Sequence, residues 1–169
     1  GELEQRQKIF VLLRVVEYVN IGPEPTEQEL EFVDTVSDVF NIPAEELADI
    51  KRFVQCSVDN IEDTSKILLV TSNPDVPGYT HVKHIENETM NGTLTVISVE
   101  SVGMYALKYF GTEELLLNGQ IIDPERVYIL TQGSSIRSSK VNPIYYSDII
   151  SRYLTDKSES KIAFVAKDL

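Results

Sequence analysis

The sequence predicts an α+β fold: an N-terminal helical bundle fragment over residues 1–64, followed by a small, mostly antiparallel β domain over residues 65–160. Three observations carry this. Apolar residues recur every three or four positions up to about residue 55, then fall into short β-branched or aromatic runs after Lys66, so the hydrophobic period changes from that of a helix to that of a strand. Turn dipeptides punctuate the second part at intervals of roughly 8 to 12 residues. Acidic charge is concentrated in the first part: residues 1–65 hold five Lys/Arg against fifteen Asp/Glu, a net of −10, and the remainder holds ten against twelve, a net of −2.

From Leu3 to Asn20, the spacing of Leu3, Ile9, Phe10, Leu13, Val16 and Tyr18 or Val19 predicts a helix with a broad apolar face. Gly22-Pro23-Glu24-Pro25 ends it, because proline cannot donate to a continuing ladder and biases its predecessor toward extended geometry. Thr26 and Glu29 form a capping-box pair that opens a second helix, Thr26 to Phe40, with Leu30, Val33, Val36 and Phe40 inward. Asn41-Ile42-Pro43 interrupts it. Pro43 then starts a third helix at a position where its missing N–H costs nothing, with Leu47, Ile50 and Phe53 or Val54 as the apolar stripe. Strands are predicted at 67–70, 93–99, 104–110, 114–117, 126–130 and 161–165. The separators Asn73-Pro74, Pro77-Gly78, Asn91-Gly92, Asn118-Gly119 and Asp123-Pro124 are turn chemistries, and Asn-Gly suits the positive φ values of a tight hairpin. This spacing points to a small sandwich or barrel rather than a βαβ arrangement.

Composition narrows the functional classes. The longest apolar run, Ile9 to Val19, is broken by Arg14 and Glu17 and is too short for a bilayer span. With no secretory pattern and a single cysteine, Cys56, the expected setting is a reducing, cytoplasmic one. Opening on Gly1-Glu2-Leu3 without a start methionine, the chain is expected to be a segment of something longer. Its net charge of −12 would repel duplex nucleic acid and favours a basic or cationic-faced protein partner, or serves solubility. Neither a phosphate-cradling loop followed by Lys-Ser/Thr nor a dinucleotide fingerprint occurs, so no cofactor and no catalytic activity are expected of this chain by itself.

Five local features bear on chemistry. Glu27, Glu31, Asp34 and Asp38 lie at i, i+4, i+7 and i+11 of the second helix, one carboxylate stripe that either holds a hard cation or forms a solvated outer face. His81 and His84, three apart in or near a strand, fall on opposite faces and are poorly placed to share a metal. Cys56 has no neighbouring base in sequence and reads as packing near a helix end. Asn87-Glu88-Thr89 and Asn91-Gly92-Thr93 match the glycosylation pattern but read as a polar hairpin region. The richest stretch is Gly133-Ser134-Ser135-Ile136-Arg137-Ser138-Ser139-Lys140, followed by Pro143 to Arg152, whose hydroxyls and two guanidinium groups could hold a phosphate or form a structural loop. That arrangement resembles the forkhead-associated domain, a small β-sandwich that reads phosphothreonine with an Arg and a Ser on adjacent loops. The resemblance implies Arg137, Ser151 and Arg152 as phosphopeptide contacts.

Two further stretches carry resemblances. Gln5-Arg6-Gln7 leading into an apolar helix, the acidic capped helix and Asn41-Ile42-Pro43 resemble the second half of a TerB-like, tellurite-resistance-type helical domain. That implies cation binding through helix carboxylates, with Glu29 and Glu31 in the matching region. Leu115-Leu116-Leu117-Asn118-Gly119-Gln120, Gly133 to Arg137 and Pro143 to Ile149 resemble the region preceding the nucleotide-binding domain in large ABC-transporter-type ATP-binding proteins of Bacteroidetes-like bacteria. By the same resemblance Lys161 to Leu169 would be the first strand of the ATPase domain. The function implied is a non-catalytic regulatory or docking segment placed before that ATPase, acting on a protein partner or on the ATPase domain itself.

Overall fold

The computed structural model describes residues 3–155. Helices come first and strands follow: α1 (Gln5–Val19), α2 (Glu27–Val39) and α3 (Ala44–Gln55) precede β1 (Ile67–Thr71), β2 (Lys83–Glu86), β3 (Thr93–Val99), β4 (Met104–Phe110), β5 (Leu116–Leu117), β6 (Gln120–Ile121), β7 (Tyr128–Leu130), β8 (Ser135–Arg137) and β9 (Ile144–Tyr145). A further helix, α4, covers 146–155. The strand expected at 161–165, and with it the ATPase strand implied at 161–169, lies outside the described residues.

Two sheets, in the orders β2-β1-β3-β4-β7 and β6-β5-β8-β9, make the fold α+β. Their pairings are antiparallel except for β1 with β2, which run parallel through the 72–82 connection without an intervening helix. Alternation along the central strands explains the layering. Ile67, Leu69, Ile97, Val99 and Ala106 face a core shared with Ile9, Leu12, Leu13 and Val16 of α1 and Ile50 and Phe53 of α3. The intervening Leu68, Val70, Leu94, Val96 and Leu107 face a second core with Ile136, Ile144 and, from α4, Ile149 and Tyr153. The larger sheet is thus covered on both sides, which is why β3 and β4 read as near-continuous apolar runs. Each of the Leu, Ile and Val side chains among these contributes roughly 1.5–3 kcal/mol on burial.

Several elements differ from their sequence expectations, each for a local reason. Leu3, Phe10 and Tyr18 are exposed at 45%, 42% and 75%, and Leu12 takes an inward place instead, because contact with the sheet selects only part of the broad apolar face of α1. Leu30 of α2 is exposed as well, leaving Val33 as the fully buried apolar residue of that helix. Pro43 occupies the N-cap rather than the first helical position. Asn118-Gly119 does form the β5–β6 hairpin turn, with φ 52° and 84°. Asn91-Gly92 does not turn a hairpin: Gly92, at φ 88°, leads into β3 with its backbone against Phe110, where an added Cβ would lie 2.1 Å from the carbonyl oxygen. Residues 100–103, ending in Gly103 at φ 61°, make the β3–β4 turn instead.

The 72–82 connection is held at its far end by one carboxylate. Asp63 Oδ1 accepts from the backbone N–H of His81 at 2.7 Å, Val82 at 3.1 Å and Thr80 at 3.1 Å, and Oδ2 accepts from Thr80 at 3.0 Å. These donors, the amides of Thr80 and His81 foremost, hold its pKa below the ordinary aspartate value. The fixation is therefore complete above the ordinary range and lost as pH falls through the lowered value. In Asp63→Ala we expect the amides of Thr80, His81 and Val82 to exchange hydrogen faster by at least tenfold while those of β1 and β3 are unchanged, as read by exchange followed by NMR.

Candidate functional site

The side chains singled out in the sequence fall on two separate regions. The first is the outer surface of α2. Thr26 Oγ1 accepts from the Glu29 N–H at 3.1 Å and Glu29 Oε1 accepts from the Thr26 N–H at 3.0 Å, so the expected capping box is formed. Glu29 is spent on this cap. Glu27, Glu31, Asp34 and Asp38 are all exposed along one row, and Asp34 meets Lys51 Nζ of α3 at 3.0 Å. Among the described residues, no group of three or more His, Cys, Asp and Glu side chains is placed to hold a metal ion.

Beside the carboxylate row runs a second one that the sequence reading passed over. Gln28, Phe32, Thr35 and Val39 repeat the same i, i+4, i+7, i+11 spacing one residue later, which rotates them by about 100° to the neighbouring strip of the helix. All four are exposed; Phe32 and Val39, about two turns apart, are 55% and 68% accessible. The signal was present in the sequence: Phe32 and Val39 lie off the inward stripe of Val33, Val36 and Phe40 by the helical period itself.

The second region surrounds α4. Pro143 to Arg152, read as a possible phosphate loop, instead forms β9 and the first turns of this helix, with Asp148 Oδ2 accepting from the Tyr145 N–H at 3.1 Å at its start. Arg137, on β8, lays its guanidinium over the Tyr145 ring, 5.4 Å from the centroid, and donates to Ser135 Oγ at 3.2 Å and Tyr145 Oη at 3.4 Å. Arg152 turns toward the other sheet, its Nε donating to the His84 carbonyl at 3.1 Å. Ser151 is exposed between them and borders a depression of about 350 Å³ together with Ser134, Tyr145 and Ser147. Neither arginine lines that depression; Arg152 and Ser151 share a different one with Ile85 and Asp148. Ser151 is thus near each arginine's surroundings, while the arginines themselves are directed to different partners.

The remaining candidates are structural in their surroundings. His84 sits in β2 with Nε2 2.8 Å from Thr71 Oγ1, and burial pulls its pKa below the ordinary histidine value; His81 is exposed and precedes the strand. Asn87 is buried, its amide nitrogen donating to the Asn142 carbonyl at 3.1 Å and its oxygen accepting from Thr89, so the side chain is committed to packing. Cys56 caps α3 from inside the core, donating to the Phe53 carbonyl at 3.1 Å, and burial raises its pKa, which suits packing rather than nucleophilic chemistry. A cleft of about 480 Å³ between α3 and the β3–β4 turn is bordered by Glu45, Glu46, Asp49 and Glu100. Its negative charge is met from within by Lys66, whose Nζ lies 2.6 Å from Asp49 Oδ2 and 3.6 Å from Glu45 Oε1. The hydrogen bond to Asp49 raises the lysine's pKa.

No protein-family model and no curated protein matches this chain.

Proposed function

We propose that this chain is a docking module that acts by contact through the outer face of α2. The observation that carries the reading is the exposed Phe32 and Val39 on a helix that contributes only Val33 and Ser37 to the fully buried set. A helix held by its cap and by its neighbours, with apolar side chains left outward, is arranged to bury them against something else. The shared core of helices and sheet supports it further, since it gives the α2 face a rigid backing. The resemblance to the region ahead of ABC-type nucleotide-binding domains makes that ATPase, or a protein that reports to it, the setting in which such a docking face would regulate turnover.

The phosphopeptide alternative has less support, because Arg137 and Arg152 do not border a common depression. A photo-crosslinking amino acid at position 32, with one at exposed Leu154 on α4 as control, tests the docking reading in the cells of origin. A defined polypeptide joined at position 32 and absent from the control is the expected result. Equal labelling at both positions, or none at 32, would overturn the reading, and nucleotide hydrolysis by the purified chain would remove its non-catalytic part.

A further inference from the structure

Resting on that docking reading, we infer that the occupant of the α2 face is a cationic amphipathic helix, one whose apolar row is bordered by a row of lysine or arginine. Charge complementarity decides the chemistry. Across its thirteen residues α2 carries five carboxylates, Glu27, Glu29, Glu31, Asp34 and Asp38, and neither lysine nor arginine. Glu29 is turned back to the cap and Asp34 is met by Lys51, while Glu27, Glu31 and Asp38 remain exposed alongside the strip on which Phe32 and Val39 alternate with Gln28 and Thr35. A partner that buries Phe32 and Val39 must bring its own flank within a few ångströms of those carboxylates. Acidic or purely apolar flanks would leave them repelled or desolvated without compensation, and basic ones pair them.

The geometry of the face points to a helix as the form of that partner. Both rows are straight along α2 and span twelve residues, whose eleven rises cover about 16 Å of helix axis. They lie on adjacent strips, so a single rod laid along the groove between them meets the apolar row with one side and the carboxylate row with the next. An amphipathic helix with apolar residues at i, i+4 and i+7 and basic residues one position away presents the same two rows in complementary order. The same charge pattern argues against an anionic lipid surface, which the carboxylates would repel.

Three synthetic helices of one length and one leucine pattern separate the possibilities: one with lysine beside the apolar row, one with glutamine and one with glutamate. Each is titrated into the isotope-labelled 169-residue chain, with binding read by calorimetry and by shifts of the α2 amide resonances. The lysine helix should bind at least tenfold more tightly than the glutamine helix, with the shifts centred on residues 27–39. Phe32→Ala should weaken it about five- to tenfold, as expected for a central interface side chain, and Glu31→Gln with Asp38→Asn should bring its affinity to that of the glutamine helix. The pair Glu88→Gln and Glu114→Gln, exposed and outside this face, should leave it unchanged. Equal weakening by that control pair would mean diffuse charge attraction and sink the inference. Phe32-dependent binding of the glutamine helix as tight as that of the lysine helix would sink the cationic assignment and leave the docking reading standing, while no α2 shift with any helix would count against both. Sedimentation of the chain alone supplies the last arm: a dimer dissolved by Phe32→Ala makes a second copy the occupant and overturns the assignment.

Discussion

Lys108→Met should lower the stability of the folded chain by about 3 kcal/mol or more, since it removes a buried charge that several carbonyl groups depend on. Lys108 is 2% exposed in the middle of β4, on the face turned to the helices, where its pairing partner in β3 is Thr95. Its Nζ donates to the backbone carbonyls of Phe53 at 3.3 Å, Val54 at 2.9 Å and Cys56 at 3.0 Å, the last turn and cap of α3. Three donors of one ammonium thus meet three carbonyls that have no partner within their own helix, at the end where the helix dipole favours a cation. Methionine keeps much of the length and apolar stem but leaves the Val54 and Cys56 oxygens buried without this donor and the Phe53 oxygen with only the Cys56 thiol. Burial pulls the lysine's pKa below the ordinary value, against the Cys56 thiol and the carboxylates of Glu125 and Glu17. Because the unfolded chain then holds this proton more tightly than the folded one, its contribution to stability rises with pH through the interval below the ordinary lysine value. Thermal unfolding should show a fall in Tm of roughly 6–12 °C for a chain of this size, with loss of that alkaline rise. Cys56→Ala, which spares the carbonyl contacts, should cost about 1 kcal/mol; equal losses for the two variants would remove Lys108 from this role.

That contact also marks where sequence reasoning stopped. Period and punctuation made the three N-terminal helices and the long strands 67–70, 93–99 and 104–110 legible, since each is set by neighbours in sequence. A lysine inside an apolar strand run has no local meaning: Lys108 is explained only by α3, more than fifty residues earlier. β2 was obscure for a similar reason. Its four residues Lys83-His84-Ile85-Glu86 gain strand geometry from pairing with β1 across a long connection. α4 carried a readable signal, Tyr146, Ile149, Ile150 and Tyr153 at i, i+3, i+4 and i+7, but serine and β-branched isoleucine are mediocre helix formers and the serine–arginine content drew the reading toward a phosphate loop. At the candidate site the carboxylates of α2 were legible as one row, read either as a cation site or as a solvated face, and all four are exposed. Phe32 and Val39 were passed over, although the predicted inward stripe of Val33, Val36 and Phe40 already left them off it by the helical period.

The second large effect is expected at Glu17 of α1, whose carboxylate also acts electrostatically on Lys108. This carboxylate is 6% exposed and joins α1 to the segment entering β7. Its Oε2 accepts from the Val127 N–H at 2.7 Å and from Arg126 Nε at 3.1 Å, and its Oε1 accepts from Arg126 Nη2 at 3.3 Å and Arg14 Nη1 at 3.0 Å. Arg14 Nη1 also donates to the Val127 carbonyl at 2.7 Å, so both backbone groups of Val127 are held from α1. Burial alone would raise the pKa of Glu17; the bonds from Arg126, Val127 and Arg14, with the charge of Arg126, outweigh it and bring the value below the ordinary glutamate range. A carboxyl with a depressed folded pKa stabilises fully above its unfolded value and loses that contribution as pH falls through the folded one. Glu17→Ala should therefore cost about 3 kcal/mol at neutral pH, with the buried Val127 N–H left without its acceptor, whereas Arg14 and Arg126, each partly exposed, return to water. Glu17→Gln keeps an oxygen for that N–H and gives up only the charge, so about half the loss is expected, and between pH 7 and pH 3 its denaturation midpoints should fall less steeply than those of the unaltered chain. Parallel pH profiles for the two proteins would show that Glu17 is held by shape and not by its charge.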